Sequence, residues 1–331
     1  MFSLKSIFSK KSIILCYHRI ASPLTDAWQL SVSSENFEQH LKILKQTKIV
    51  VPLPEIVDDV NKNSVSKKIG VCFDDGYTDN YVTALPLLKK YHVPATFFIT
   101  SKNINTTNEF WWDELEYIIM QFPNLPAELT FEWKGNILNY HLKNECVLNE
   151  DVLLKNRNYK ASLAPVSLRS ELYFMLWKFL SPLQADELEQ IMQIIRNWAG
   201  VAPCCRIDYT SMSQEKLFNL SKNSLFTIGG HTSTHPALSN FSKQEQQQEI
   251  DDNKKFLEQI TNQKIDLFAY PSGNYNAATI NTLKELEFKA AFTTSENVIR
   301  NDDDPFEISR YMVKNDAKDL FAKRIKHWLH T

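Results

Sequence analysis

Short apolar runs that alternate with amphipathic helical segments constrain this chain more than any other feature. Ser12-Ile13-Ile14-Leu15-Cys16-Tyr17 reads as a buried strand, and Phe37, Leu41 and Leu44 recur at i, i+4 and i+7 behind Ser33-Ser34, as in a capped helix. The alternation continues with strand 69–73, helix 79–91 and strand 95–100. It resumes with strand 225–229, helix 242–260, strand 266–270, helix 276–287 and strand 289–294. Strands separated by helices pair in parallel through right-handed crossovers, which defines an α/β fold. Spacing alone leaves an open sheet and a closed barrel equally available.

Residues 103–212 break this pattern. A polar loop, Asn103 to Asn108, precedes an amphipathic stretch from Phe110 to Ile119. A hairpin is expected between 129–133 and 137–140, turning at Lys134-Gly135-Asn136, and two helices around 168–180 and 184–199. An interruption of this length is too long for a plain loop in a compact domain. The expectation is therefore one domain over residues 1–331 with a mixed, mostly helical subdomain inserted at 103–212. Because it leaves from a strand end, the insertion is read as a lid or acceptor-binding cap, with an oligomer contact as the alternative. A chain of 331 residues with 43 % hydrophobic content is large enough for such a core.

Chemistry concentrates where the apolar runs end. Val71-Cys72-Phe73-Asp74-Asp75-Gly76-Tyr77 places two adjacent carboxylates behind a strand, and Gly76 permits a sharp turn after them. Neighbouring carboxylates repel, so a cation or contrasting environments must keep both useful. Downstream, Ile228-Gly229-Gly230-His231-Thr232-Ser233-Thr234-His235-Pro236 carries two histidines four residues apart after another apolar run. Two imidazoles and one carboxylate are a recurrent ligand set for a catalytic divalent ion. One aspartate then remains to act as a general base on water. Taken singly, the Asp-Asp-Gly is an ordinary turn and the histidine pair an ordinary helix surface; their joint placement gives them weight.

At these residues the chain resembles the polysaccharide deacetylases with the nodulation-factor deacetylase homology domain. Phe73-Asp74-Asp75-Gly76 looks like the first family motif, which implies Asp74 as catalytic base and Asp75 as metal ligand. His231 and His235 look like the second motif, which implies two further metal ligands. Ala84-Leu85-Pro86-Leu87-Leu88 and Val93-Pro94-Ala95-Thr96-Phe97-Phe98-Ile99 read like the family's following helix and strand. The resemblance spans most of residues 12–315 apart from the insertion, and it implies a distorted, incomplete (β/α) barrel of the seven-stranded type.

Phe268-Ala269-Tyr270-Pro271-Ser272-Gly273 resembles the third motif, which implies that the Tyr270 backbone N–H donates to the oxyanion. The arginine usual before that proline is missing, and no Leu-x-x-His segment follows the last strand. Arg310, after the last expected strand, is the candidate to orient Asp74 instead, with a surface arginine as the alternative. His18, in Leu15-Cys16-Tyr17-His18-Arg19, is the candidate general acid, because barrel closure brings the first and last strands together. One branch of the family has a circularly permuted motif order beginning with a Tyr-His-Arg-like segment. An imidazole can hold and release a proton near neutral pH, whereas the alternative for His18 is a structural hydrogen bond. The activity so implied is metal-dependent removal of an N-acetyl group from an amino sugar, with zinc as the metal and cobalt, nickel or iron also admitted. Deformylation of a lipid-linked amino sugar and non-catalytic glycan binding are the alternatives. Trp111, Trp112 and Trp133 are candidates to stack on sugar rings, against packing inside the insertion.

A net charge of −2 provides no basic field, so nucleic acid is not an expected partner. Five cysteines, with Cys204 and Cys205 adjacent, make a poor disulfide framework, and reduced thiols in the cytoplasm fit better. The start, Met1 to Lys11, lacks the continuous apolar stretch of a signal peptide. Its Phe2, Leu4, Ile7 and Phe8 against Lys5, Lys10 and Lys11 allow at most peripheral contact with an anionic membrane face, the alternative being a frayed end. No apolar run reaches the ~18 residues a membrane span needs. The expected substrate is therefore a nucleotide-linked, lipid-linked or growing saccharide; nothing in the sequence signals an oligomeric state.

Overall fold

The structure, a computed structural model, describes residues 11–330. The apolar and basic residues of the leader, Phe2 to Lys10, lie outside the described residues. Along the chain, β1 (Ile13–Tyr17) leads to α1 (Ser34–Thr47) and α2 (Leu53–Asn61). β2 (Ile69–Phe73) leads through a π turn, Asn80–Ala84, into α3 (Leu85–Tyr91), and β3 (Ala95–Ile99) follows. Next come α4 (Trp111–Met120), β4 (Glu128–Trp133), β5 (Asn136–His141), α5 (Glu150–Asn158), α6 (Leu168–Leu180) and α7 (Ala185–Ala199). The last stretch holds α8 (Gln214–Ser221), β6 (Phe226–Gly230), α9 (Lys243–Thr261) and β7 (Leu267–Ala269). It ends with α10 (Ala277–Glu285), β8 (Ala290–Phe292), β9 (Tyr311–Met312) and α11 (Lys318–Trp328).

Two compact units result. One comprises residues through Ser22, Ser31–Asn105 and the chain from Met212; the other joins Pro23–Leu30 to Thr106–Ser211. In the first, seven parallel strands are ordered β8-β7-β6-β3-β2-β1-β9. Ile308 bridges Phe292 beside β8, while Tyr311 and Met312 pair with Leu15 and Cys16 of β1. Residues 308–312 thus run from one end of the sheet to the other, and the sheet curls into an incomplete (β/α) barrel. Spacing had left open sheet and barrel undecided; this segment decides for the barrel.

β1, β2 and β3 are buried at every position, as strands covered on both faces must be. Tyr17, Phe73 and Phe97 share one register row, and Phe73 stacks on its neighbours at centroid distances of 5.4 and 5.0 Å. Each such ring contributes about 1.5–3 kcal/mol by leaving water, so this row firmly fixes the strand ends that carry Tyr17-His18 and Phe73-Asp74. The helix expected over 79–91 is present, with a π segment at Asn80–Ala84 that runs directly into α3. Pro86 suits the change of register, since its ring leaves no N–H to continue the regular helical ladder. The sequence reading also missed α2, α5, α8 and α11.

The second unit has its own core, with Leu115, Ile119, Leu172, Leu176, Ile191 and Ile195 fully buried. Arg169, also fully buried, donates to the carbonyls of Ile119, Phe122, Glu145 and Cys146 at 2.6–3.1 Å, tying α6 to the end of α4 and to the turn at Glu145–Cys146. The expected hairpin is present as β4 and β5, paired from Glu128 with His141 to Trp133 with Asn136. Trp112 is not an exposed sugar platform: it is buried and stacked on Phe110 at 4.5 Å. Trp111 and Trp133 are half-buried against the same core. Among the described residues no helix is long and apolar enough to cross a membrane.

Candidate metal centre

Asp74 and Asp75 leave the end of β2 at a tight turn closed by a bond from the Gly76 N–H to the Asp74 carbonyl, 3.0 Å. Asp75 (φ 73°) and Gly76 (φ 85°) both take left-handed backbone. At Gly76 a Cβ would also stand 3.1 Å from Ile99 Cδ1, so a side chain there would be strained and crowded. His231 to His235 leave the end of β6, with Thr232 (φ 62°) and His235 (φ 61°) left-handed as well. Non-glycine residues in this region are strained by about 1–3 kcal/mol each and persist where their surroundings hold them.

These turns converge. Asp75 Oδ1 lies 3.4 Å from His231 Nε2 and 3.5 Å from His235 Nε2, and all three ligand atoms fall within 4.8 Å of one another. Asp75 is 2 % exposed, yet its Oδ1 accepts no hydrogen bond from the described residues. The His231 Nδ1–H donates to the Ala269 carbonyl at 2.7 Å, which assigns the proton to Nδ1 and turns the Nε2 lone pair toward Asp75. Ligands about 2.1 Å from a shared ion at near-tetrahedral angles stand roughly 3.4 Å apart. The spacing, the unpartnered buried oxygen and the nitrogen-nitrogen-oxygen donor set all fit a divalent cation.

Asp74, also buried, is gripped by Arg310: Nη1 donates to Oδ1 at 2.7 Å and Nη2 to Oδ2 at 2.9 Å. The Arg310 Nε donates to the Thr293 carbonyl at 3.0 Å, which fixes the guanidinium from behind. Burial by itself would raise the Asp74 pKa. The Arg310 guanidinium, helped by His231 and His18, outweighs it and holds the carboxyl well below the usual range. Burial dominates at His235, which is lowered to about 4, whereas at His231 the neighbouring Asp75 and Asp74 carboxylates outweigh burial and raise it. The sequence left a surface arginine open for Arg310; at 2 % exposure it is an interior one.

His18 follows β1 directly, and its ring lies within 4.8 Å of an Asp74 carboxylate oxygen. Its backbone is tethered by the Asn80 Nδ2–H, which donates to the His18 carbonyl at 2.8 Å. Arg19 and Asp79 form a buried pair at 3.0 Å beside it, so the π turn and the His18 loop are fastened together.

Tyr270 requires a correction. Its backbone N–H donates to the Phe292 carbonyl at 3.0 Å, as part of the β7–β8 ladder, and so has no capacity left for an oxyanion. Its ring stacks on Tyr275 at 4.2 Å and its hydroxyl donates to the Phe306 carbonyl, which makes it a structural residue. In the same turn the Ser272 N–H has no acceptor among the described residues, and Ser272 is left-handed at φ 53°. Pro271 has no N–H to give, and those of Gly273 and Asn274 close the turn. Motif reading picks the tyrosine because the ladder that consumes its N–H is a tertiary feature.

A (β/α) half-barrel whose strand ends gather two imidazoles and a buried carboxylate, with a second carboxylate left over beside them, defines a class: a hydrolase built around a cation site. Comparison with known proteins agrees. The sequence model of the family described as polysaccharide deacetylase matches residues 61–121 and 175–291, together more than half of the chain. This chain belongs to the polysaccharide deacetylase family, enzymes that hydrolyse the amide of N-acetyl groups. YxkH of Bacillus subtilis, which carries the polysaccharide deacetylase name, is 22 % identical over 91 % of this chain and 70 % of its own length. The poly-beta-1,6-N-acetyl-D-glucosamine N-deacetylase of Staphylococcus epidermidis is 32 % identical, over 29 % of this chain and 38 % of that protein. Among solved structures, IcaB from Ammonifex degensii has the same fold, with a TM-score of 0.58 at 18 % identity, covering 97 % of this chain and 98 % of that one.

Proposed function

We propose that this chain removes the N-acetyl group from an amino sugar within a glycan, with Asp75, His231 and His235 holding a divalent ion. Zinc is the first choice for two nitrogens and one oxygen, with cobalt, nickel and iron also compatible. The observation that carries this reading is the buried Asp75 Oδ1, unpartnered and 3.4–3.5 Å from two imidazole nitrogens. Such an ion supplies Lewis acidity toward the amide oxygen and toward water.

The remaining roles fall to the protein. Asp74 takes the proton of the attacking water, and Arg310 keeps that carboxylate ionised and aimed. Both carboxylate oxygens retain a lone pair beyond the one each gives to Arg310. The Ser272 N–H is the backbone donor available to the developing oxyanion. His18, beside Asp74 and tethered at its carbonyl, delivers a proton to the departing amine. The kinship with the Staphylococcus epidermidis enzyme favours an N-acetylglucosamine-containing glycan. The five free cysteines favour a reducing compartment, and hence a cytoplasmic, lipid-linked or growing glycan at the inner membrane face.

Purified protein, stripped of metal and reconstituted with one equivalent of Zn²⁺, is expected to release acetate from N-acetylglucosamine oligosaccharides. No acetate with Zn²⁺, Co²⁺, Ni²⁺ or Fe²⁺, from soluble or lipid-linked oligosaccharide, would refute the reading.

A further inference from the structure

Helix α9 begins with a full capping box, Ser242 and Glu245 bonding each other's backbone, so its register is fixed from its first turn. It carries an apolar stripe of Ile250 and Leu257, and between them, at the same face, stands Asn253. A fully buried carboxamide in such a stripe needs partners for both of its ends. Asn253 has them. Its Oδ1 accepts from the His231 N–H at 3.1 Å. Its Nδ2 donates to the Thr232 carbonyl at 2.7 Å, the Ile99 carbonyl at 2.9 Å and Ser101 Oγ at 3.1 Å. The approach is so close that a Cβ on Gly230 would lie 2.9 Å from Asn253 Oδ1.

One turn earlier on α9, Glu249 meets the other end of the same loop. Its carboxylate accepts from the Thr234 N–H and the Thr234 hydroxyl, both at 2.8 Å, and its carbonyl accepts from the Ser233 N–H at 3.1 Å. Left-handed Thr232 lies within these grips and left-handed His235 directly follows them, its N–H donating to the Thr232 hydroxyl at 3.0 Å. None of these contacts touches the ligand atoms of His231 and His235. They act on the backbone from which both imidazoles project.

We propose that Asn253 and Glu249 are positioning residues that shape the His231–His235 turn so that its two imidazoles converge on Asp75. The inference rests on the metal-centre reading above. Without the two grips the strained turn relaxes, the Nε2 atoms separate, and cation affinity falls although every ligand is still present. Partners that orient ligands in this way typically account for 10- to 100-fold in metal affinity.

The test compares Asn253→Asp, Glu249→Ala and Glu249→Gln with wild type and with His231→Ala. Zn²⁺ affinity is read by chelator competition on the metal-free protein, alongside its melting curve, kcat and KM. Expected are cooperative melting, a 10- to 100-fold weaker Zn²⁺ affinity in Asn253→Asp and Glu249→Ala, and a smaller loss in Glu249→Gln. Excess Zn²⁺ should restore much of kcat with KM for the oligosaccharide unchanged. Wild-type Zn²⁺ affinity in Glu249→Ala, while His231→Ala has lost it, overturns the positioning proposal alone. Undiminished affinity in His231→Ala overturns the metal centre itself. Should Asn253→Asp fail to fold, the half-buried Glu249 variants decide the matter.

Discussion

The Arg310 guanidinium and the Asp74 carboxylate face each other through two parallel N–H···O bonds of 2.7 and 2.9 Å, both partners buried. A paired fork of this kind is directional as well as charged, so it fixes the plane of the carboxylate and keeps it ionised. Removing one partner leaves a buried charge uncompensated. Arg310→Gln is therefore expected to lower stability at neutral pH by about 3–5 kcal/mol. The sign for activity follows from the depressed Asp74 pKa. Without the guanidinium, burial prevails, the pKa rises, and the acid limb of the kcat profile moves to higher pH. An unmoved acid limb in Arg310→Gln would mean that Asp74 is not the group being titrated.

Asp74→Asn keeps shape and removes the proton acceptor. Its turnover should fall roughly 100-fold or more while zinc content, measured by elemental analysis, stays near wild type. Asp75→Asn should show the reverse order of effects, with zinc lost first. Equal zinc loss in the two variants would dissolve the distinction drawn between the neighbouring carboxylates.

For His18 the informative contrast is between leaving groups. His18→Ala should lose roughly 100-fold or more on an N-acetyl amide, whose amine needs a proton to depart. On an aryl acetate, whose phenolate leaves unprotonated, the same variant should be much less impaired. Equal losses on both substrates would indicate that the residue matters for structure alone.

A stability prediction concerns Glu116 of α4. Burial, with Asp26 and Asp113 nearby, raises its pKa to about 7, while its carboxylate accepts from the Ala27 N–H at 3.2 Å. The native carboxyl thus binds its proton up to about pH 7, against an ordinary value of 4.5. Native protein binds more protons than unfolded between these values, so stability falls as pH rises through the window, by about 3 kcal/mol in all. Glu116→Gln retains an oxygen for Ala27 and cannot ionise. Its melting temperature should exceed wild type at pH 8 and approach it at pH 5; a pH-independent difference would contradict this account.

The convergence of Asp75, His231 and His235 was legible wherever a strand end announced it. Asp75, His231 and His235 each follow an apolar run, and a turn at the end of a strand is where a rigid sheet can present a polar side chain. Arg310 was legible only by position, since the pairing of Ile308 with Phe292 and of Tyr311 with Leu15 that carries it inward is tertiary. Tyr270 was misread at the level of a single atom, because no local pattern reveals which N–H a sheet ladder consumes. Asn253 did leave a trace: a polar residue at a stripe position between Ile250 and Leu257, spaced three and four residues apart, is a buried polar group in need of partners. Pro23–Leu30 left none, because its membership in the second unit depends on contacts such as Ala27 with Glu116.

The span of residues 308–312 across the sheet has a consequence for how the protein matures. Asp74 and Arg310 are 236 positions apart, and closing a loop of that length opposes their meeting by about 5 kcal/mol of chain entropy. Local elements must therefore form before the pair can, and synthesis delivers the arginine only after nearly the whole barrel has emerged. Until Arg310 docks, Asp75, His231 and His235 can already be in place while Asp74 is a buried carboxylate without its counter-charge. Neutralisation of the buried Asp74 is in this sense a late event of folding, set by the arrival of residues 308–312 at the far edge of the sheet.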